Sequence, residues 1–180
     1  MSNDKIILIV VGLLIILGGG YFAYQYMQGG NGETDLEKPT DPKNATYLIK
    51  ESEFSLYEGY AEKEIEGNMV KVSIFKGPLS LDLDGDYEED DFALILKYDL
   101  GEEGTNYYVT AAITDPGGVV IGKNAVPIGG TNIEIKSFTV EKKIIKTTQS
   151  NKLAEEANLN LPNIDREFAL NGVGNLIAVK

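Results

Sequence analysis

Hydrophobic positions fall into two regimes along this chain. Residues 6–24, IILIVVGLLIILGGGYFAY, form one uncharged apolar run, whereas beyond residue 44 apolar residues come in short bursts separated by turn formers. About 19 residues rising 1.5 Å each span roughly 29 Å, the thickness of a bilayer's hydrocarbon core. The run therefore predicts a transmembrane helix within residues 1–27. Tyr21, Tyr24 and Tyr26 sit at one end of it, where aromatic rings favour the membrane interface. Lys5 is the only basic residue before the run, and the next is Lys38. By the positive-inside rule this predicts a cytoplasmic N-terminus and an extracytoplasmic C-terminal domain. The rival reading is a cleaved signal peptide, with residues 6–17 as its apolar region and Gly18, Gly19 and Gly20 at the cleavage site. The run continues through Tyr21, Phe22 and Ala23, which favours an uncleaved single-pass anchor.

The second regime reads as strands. Residues 69–75 (MVKVSIF) alternate apolar and polar, as a half-buried strand does. Residues 107–114 (YYVTAAIT) and the apolar 92–96 (FALIL) are strong β-formers, the latter central because it has no polar face. Weaker bursts lie at 47–49, 54–57, 119–121, 133–135 and 143–146. Residues 115–118 (DPGG) are a turn: Pro fixes φ at one corner and Gly accepts positive φ at the next. Residues 167–170 and 176–179 flank Asn171-Gly172 and read as a closing hairpin. Residues 151–159 suit one or two helical turns with Leu153, Ala154 and Ala157 inward. The expected fold is mostly β, a single antiparallel β-rich domain at 44–180 behind one N-terminal transmembrane helix, with the short helix leaving room for an α+β variant. No internal repeat recurs, which counts against a propeller. Residues 28–43 (QGGNGETDLEKPTDPK) have almost nothing to bury and read as a flexible, acidic Gly/Pro linker.

Composition narrows the chemistry. The net charge is −12, which repels nucleic acid and disfavours it as a partner. With no Cys and no His, the chain lacks disulfides, thiolate sites, and the usual general base and transition-metal ligand. The serines have no His partner and no nucleophile-elbow context. We therefore expect no enzyme. The alternative is a carboxylate-based hydrolase, or an accessory subunit of a cell-envelope enzyme, built on the abundant acids. Tyr47, Tyr57, Tyr60, Tyr107 and Tyr108 are candidates to line a sugar or peptide groove, against the plainer reading that they pack within strands.

The acids concentrate in LDLDGDYEEDD, residues 81–91, just before the apolar strand. Asp82, Asp84, Asp86 and Asp90 occupy positions 1, 3, 5 and 9 of a loop, with the Glu88 backbone carbonyl at position 7, the alternation by which calcium loops supply oxygens. Position 12 is Ala93 rather than Glu, and position 6 is Tyr87 rather than Gly, so this is not an EF-hand. It looks more like the shorter loops of integrin-type blades and dockerins. The candidate metal ligands are Asp82, Asp84, Asp86, Glu88 and Asp90, and the candidate ion is Ca²⁺; Mg²⁺ demands a tighter octahedron. The competing reading is an acidic loop that keeps a strand end soluble.

Four stretches carry a resemblance: Asn44-Ala45-Thr46-Tyr47; Asp82-Leu83-Asp84-Gly85-Asp86; residues 104–112 (GTNYYVTAA); and residues 124–129 (NAVPIG). In their order and spacing they resemble a family of small bacterial envelope proteins that read Asn-Ala-Thr-Tyr, then Asp-Leu-Asn-Gly-Asp-Gly, then Gly-Thr-Phe-Tyr-Tyr. Tyr87 stands where that family has its second loop glycine, and Val126-Pro127-Ile128 replaces its Leu run. The resemblance implies an exported, membrane-tethered module. Beside the membrane itself, reached through the N-terminal helix, an envelope protein or a glycan is a candidate partner, of no identity the sequence specifies.

Overall fold

A computed structural model describes residues 39–157, 159 and 161–180. The predicted span at 6–24 lies outside the described residues. Residues 39–180 form one compact unit, which begins earlier than residue 44. The carbonyl of Pro39 accepts from Val120 N (2.6 Å), and Pro42–Asn44 form a 3-10 turn capped by Asp41, whose carboxylate accepts from Lys43 N. The end of the expected linker is thus docked onto the domain by backbone bonds that composition does not reveal.

The unit is mostly β, in antiparallel sheets. A two-stranded sheet pairs β1 (Thr46–Ile49) with β2 (Ser52–Ser55). A six-stranded sheet runs β3 (Tyr60–Ile65), β4 (Asn68–Leu81), β5 (Asp91–Asp99), β6 (Thr105–Thr114) and β7 (Val120–Gly122), with β8 (Val126–Gly130) also on β6. A four-stranded sheet takes β12 (Leu176–Ala178), β11 (Ile164–Leu170), β10 (Ile144–Asn151) and β9 (Ile133–Glu141) in that order. A short helix, α1 (Lys152–Glu156), follows β10, its N-terminus capped by Asn151.

Two cores hold these layers together. On one face of the six-stranded sheet Val70, Val72, Leu94, Leu96 and Tyr108 pack with Tyr47, Ile49 and Phe54 of the two-stranded sheet. On the other face Ala93, Ile95, Val109 and Ala111 pack with Ile135, Ile145, Phe168 and Leu176 of the four-stranded sheet. Successive strand residues point to opposite faces, so β5 feeds both cores, and this is why residues 92–96 carry no polar alternation. Asn124 fastens the last strand: its Oδ1 accepts from Leu176 N (2.8 Å) and its Nδ2 donates to Leu176 O (2.9 Å).

Two strands escaped the sequence pattern. β3 is YAEKEI, with mostly exposed positions and no apolar alternation. Its signal is the Glu66-Gly67 turn, where both residues have positive φ (51° and 82°), the geometry of a tight hairpin. β8 contains Pro127, which is tolerated because β8 pairs with β6 alone in its sheet. The helix is also shorter than expected. Ala154 is buried, whereas Leu153 and Ala157 are exposed, because five residues cannot turn a whole apolar stripe inward.

Candidate metal centre

The acidic loop, residues 82–90, joins β4 to β5. It is anchored by Leu81 and Leu83, both buried in the second core. From Asp82 onward the chain makes a series of tight turns closed by its own carboxylates. Asp82 Oδ1 accepts from Gly85 N (2.6 Å), Asp84 Oδ1 from Asp86 N (3.1 Å) and Asp86 Oδ1 from Glu88 N (2.9 Å). Short acidic side chains favour such local bonds over continued strand. Gly85 (φ +96°) and Tyr87 (φ +75°) take the left-handed conformation the turns require. Tyr87 is 93 % exposed, so its ring contributes no packing to offset that conformation.

The five predicted ligands do not form one ring. Carboxylate oxygens of Asp82, Asp84 and Asp91 all lie within 4.8 Å of one another, and those of Asp86, Glu88 and Asp90 form a second such group. The inner group is partly buried and the outer one mostly exposed. The physical reason is the turn series: each aspartate is drawn to its own downstream N–H, which splits the alternating set into two neighbourhoods.

Asp91 is the residue sequence reasoning missed. It is 1 % exposed, and its carboxylate accepts three backbone N–H groups. Oδ2 takes Leu83 N (2.8 Å) and Asp84 N (3.1 Å), and Oδ1 takes Thr114 N (3.0 Å). Thr114 Oγ1 donates in turn to the Asp90 carbonyl (2.5 Å). Asp91 thus clamps the loop's entry to the end of β6. Burial pushes its pKa above the ordinary carboxylate range; the three N–H bonds pull the other way, and the Asp84 charge adds to the rise. An acid opening a wholly apolar strand was the available signal, since a buried carboxylate must find partners.

One cation of the chain already faces the loop. Lys143, in the β9–β10 turn, places Nζ 3.9 Å from Asp82 Oδ1 and directly over Gly85, where a Cβ would stand 2.0 Å from it. A cavity of about 340 Å³ separates the loop from that turn, edged by Ser80, Asp82, Glu89, Lys142 and Lys143.

Chemically, the inner group offers three hard oxygen donors with Lys143 as a weak competitor. Ca²⁺ accepts six to eight oxygens at about 2.3–2.6 Å, so three carboxylates need completion by carbonyls or water. Compared with protein-family models, curated proteins and solved structures, the chain matches none.

Proposed function

We propose that this chain is a membrane-tethered extracytoplasmic module that works by binding rather than catalysis, with a Ca²⁺-stabilised loop at residues 82–91. The observation that carries the cation reading is the convergence of Asp82, Asp84 and Asp91 within 4.8 Å at the junction of β4 and β5. Like charges held this close repel one another, and a divalent cation relieves that cost while tying the loop to the central strand. The apolar run at 6–24 and the resemblance to small envelope proteins support the tether. The absence of His and Cys supports a non-catalytic role.

Calorimetric titration of the full-length chain with Ca²⁺ tests the reading. Affinity on the order of 10⁻⁴–10⁻³ M is expected, as in extracellular calcium modules. Asp84→Asn, in the inner group, abolishes the heat, and Asp86→Asn, in the outer group, weakens it only slightly. Equal effects from the two variants contradict the assignment to the inner group, and no heat with the wild type contradicts the cation itself.

A further inference from the structure

The face of the six-stranded sheet that packs on the four-stranded sheet is only partly covered. Beyond Ile95 and Val109 the same face continues across four strands and is partly exposed among the described residues. Ladder partners share a face, and the register runs Tyr60↔Ser73, Ser73↔Lys97 and Lys97↔Tyr107. At about 4.8 Å per strand the row spans roughly 14 Å. Tyr60 is 43 % exposed, and Ser73, Lys97 and Tyr107 are half-buried.

A third aromatic is added by an irregularity. The β4–β5 register shifts between Ile74 and Lys76, leaving Phe75 as the extra residue of a bulge. Bulges re-aim side chains and are enriched beside functional sites. Phe75 is turned against Tyr107, with ring centroids 4.8 Å apart and planes tilted by 55°, yet it stays 44 % exposed. A cavity of about 240 Å³ opens beside the pair, with Lys76 and Lys152 at its edge.

The next row of the face, Glu62↔Lys71 and Lys71↔Asp99, holds two anions and one cation, and Lys97 of the first row supplies the balancing charge. Lys97 Nζ lies 2.7 Å from Asp99 Oδ2 and Lys71 Nζ 3.5 Å from Glu62 Oε1, and the Tyr60 hydroxyl donates to Glu62. In a chain of net charge −12 this patch is locally neutral, dense in donors and acceptors, and crossed by three partly exposed rings.

We propose that this face binds a neutral oligosaccharide. Each pyranose has an apolar C–H face that lies on an aromatic ring, and a rim of hydroxyls that can both donate and accept. The Tyr60–Tyr107 row offers ring platforms about the length of a short glycan, and the Lys97–Asp99 and Lys71–Glu62 pairs offer both hydrogen-bond senses. A polyanion would meet the acidic body of the chain, and a purely apolar partner would bury the paired charges at a desolvation cost. The inference deepens the binding role proposed above but uses neither the acidic loop nor the tether.

The test is a titration of the full-length chain, in a non-glycosidic detergent, with cellohexaose, chitohexaose and xylohexaose, read by tyrosine fluorescence and by amide shifts around Phe75. Polygalacturonate serves as the polyanion control. At least one neutral hexaose is expected to bind. Phe75→Ala and Tyr60→Ala each weaken it about threefold to tenfold, the range set by losing one ring's stacking; Phe75→Trp restores it, and Tyr87→Ala, on the acidic loop, changes nothing. Melting temperatures verify that the variants are folded. Silence of all three hexaoses at millimolar concentration overturns the proposal, as does preference for polygalacturonate or binding indifferent to Phe75 and Tyr60. Each titration is repeated in EDTA and in Ca²⁺. A chain that responds to Ca²⁺ but to no hexaose refutes the glycan face alone, and one that binds a hexaose without responding to Ca²⁺ refutes the cation loop alone.

Discussion

Replacing Asp91 removes the acceptor of three backbone N–H groups at once. The Leu83 amide belongs to a buried residue and the Thr114 amide to a half-buried one, whereas Asp84 is exposed and its amide is rehydrated once released. Two effective bonds to a charged acceptor, each about 1.5–3 kcal/mol, are therefore lost. The gain from no longer burying a carboxylate offsets part of that. The net expectation for Asp91→Ala is a destabilisation of about 2–4 kcal/mol. Asp91→Asn keeps one oxygen, which can serve either Leu83 and Asp84 or Thr114 but not both, and should cost about half as much. For a domain of this size each kcal/mol moves the melting temperature by roughly 3–5 °C. Urea denaturation followed by tyrosine fluorescence gives the free energies, and hydrogen exchange at the Leu83 and Thr114 amides localises them. An Asp91→Ala variant within about 0.5 kcal/mol of wild type, the range of an ordinary surface substitution, refutes the clamp.

Further expectations follow from the same geometry. Because burial raises the folded-state pKa of Asp91, the added stability of its protonated form is fully present below the ordinary aspartate range and is lost as pH rises through the raised value; Asp91→Asn should flatten that part of the stability–pH curve, and an unchanged curve contradicts the shift. Gly77→Ala should destabilise more than Gly85→Ala, although both have positive φ (94° and 96°): a Cβ at Gly77 meets the Ala93 carbonyl at 2.7 Å, whereas at Gly85 it meets only the mobile end of Lys143. The expected costs are about 3 and about 1–2 kcal/mol, and the reverse order in denaturation would contradict the packing described. The full-length chain should fractionate with membranes and resist alkaline carbonate, with external protease removing the domain beyond Lys38; recovery of the intact chain in the soluble fraction refutes the tether.

The β character and the central place of residues 92–96 were legible because hydrophobic burial writes itself into the pattern. β5 serves two cores and so has no polar face. DPGG and Asn171-Gly172 both mark turns, but the positive φ falls on Gly118 (77°) and on Gly174 (78°) rather than on Gly172, and the second loop is closed by the Asn171 carboxamide, which accepts from Val173 N and Asn175 N. What stayed hidden is held by backbone bonds and by single polar side chains. β3 is an exposed edge with little to bury, and Pro39 docks through one carbonyl. In the acidic loop, counting alternate carboxylates suggests one ring, whereas Asp82 and Asp84 group with Asp91, and Asp86 with Glu88 and Asp90, because periodicity says nothing about which oxygens are already committed to nearby N–H groups. Asp91 fell outside the alternation altogether, and its importance comes from burial, which depends on the sheets folding around it. The tyrosines divide in the same way: Tyr47 and Tyr108 are buried in the first core, whereas Tyr60 and Tyr107 share the opposite face of the sheet, Tyr60 exposed and Tyr107 half-buried at the edge of the second core, a distinction set by strand register.

The most direct test of the cation-stabilised loop is the melting temperature of the full-length chain in EDTA and in about 10 mM Ca²⁺, for wild type and for Asp82→Asn/Asp84→Asn. With a dissociation constant on the order of 10⁻⁴–10⁻³ M, binding to the folded state alone adds about 1.4–2.7 kcal/mol, or roughly 4–14 °C. That rise is expected for wild type and none for the double variant, whose melting temperature in EDTA stays level or climbs slightly as repulsion falls. A wild-type melting temperature unmoved by Ca²⁺, or an equal rise in the double variant, would leave residues 82–91 as a solvated acidic turn.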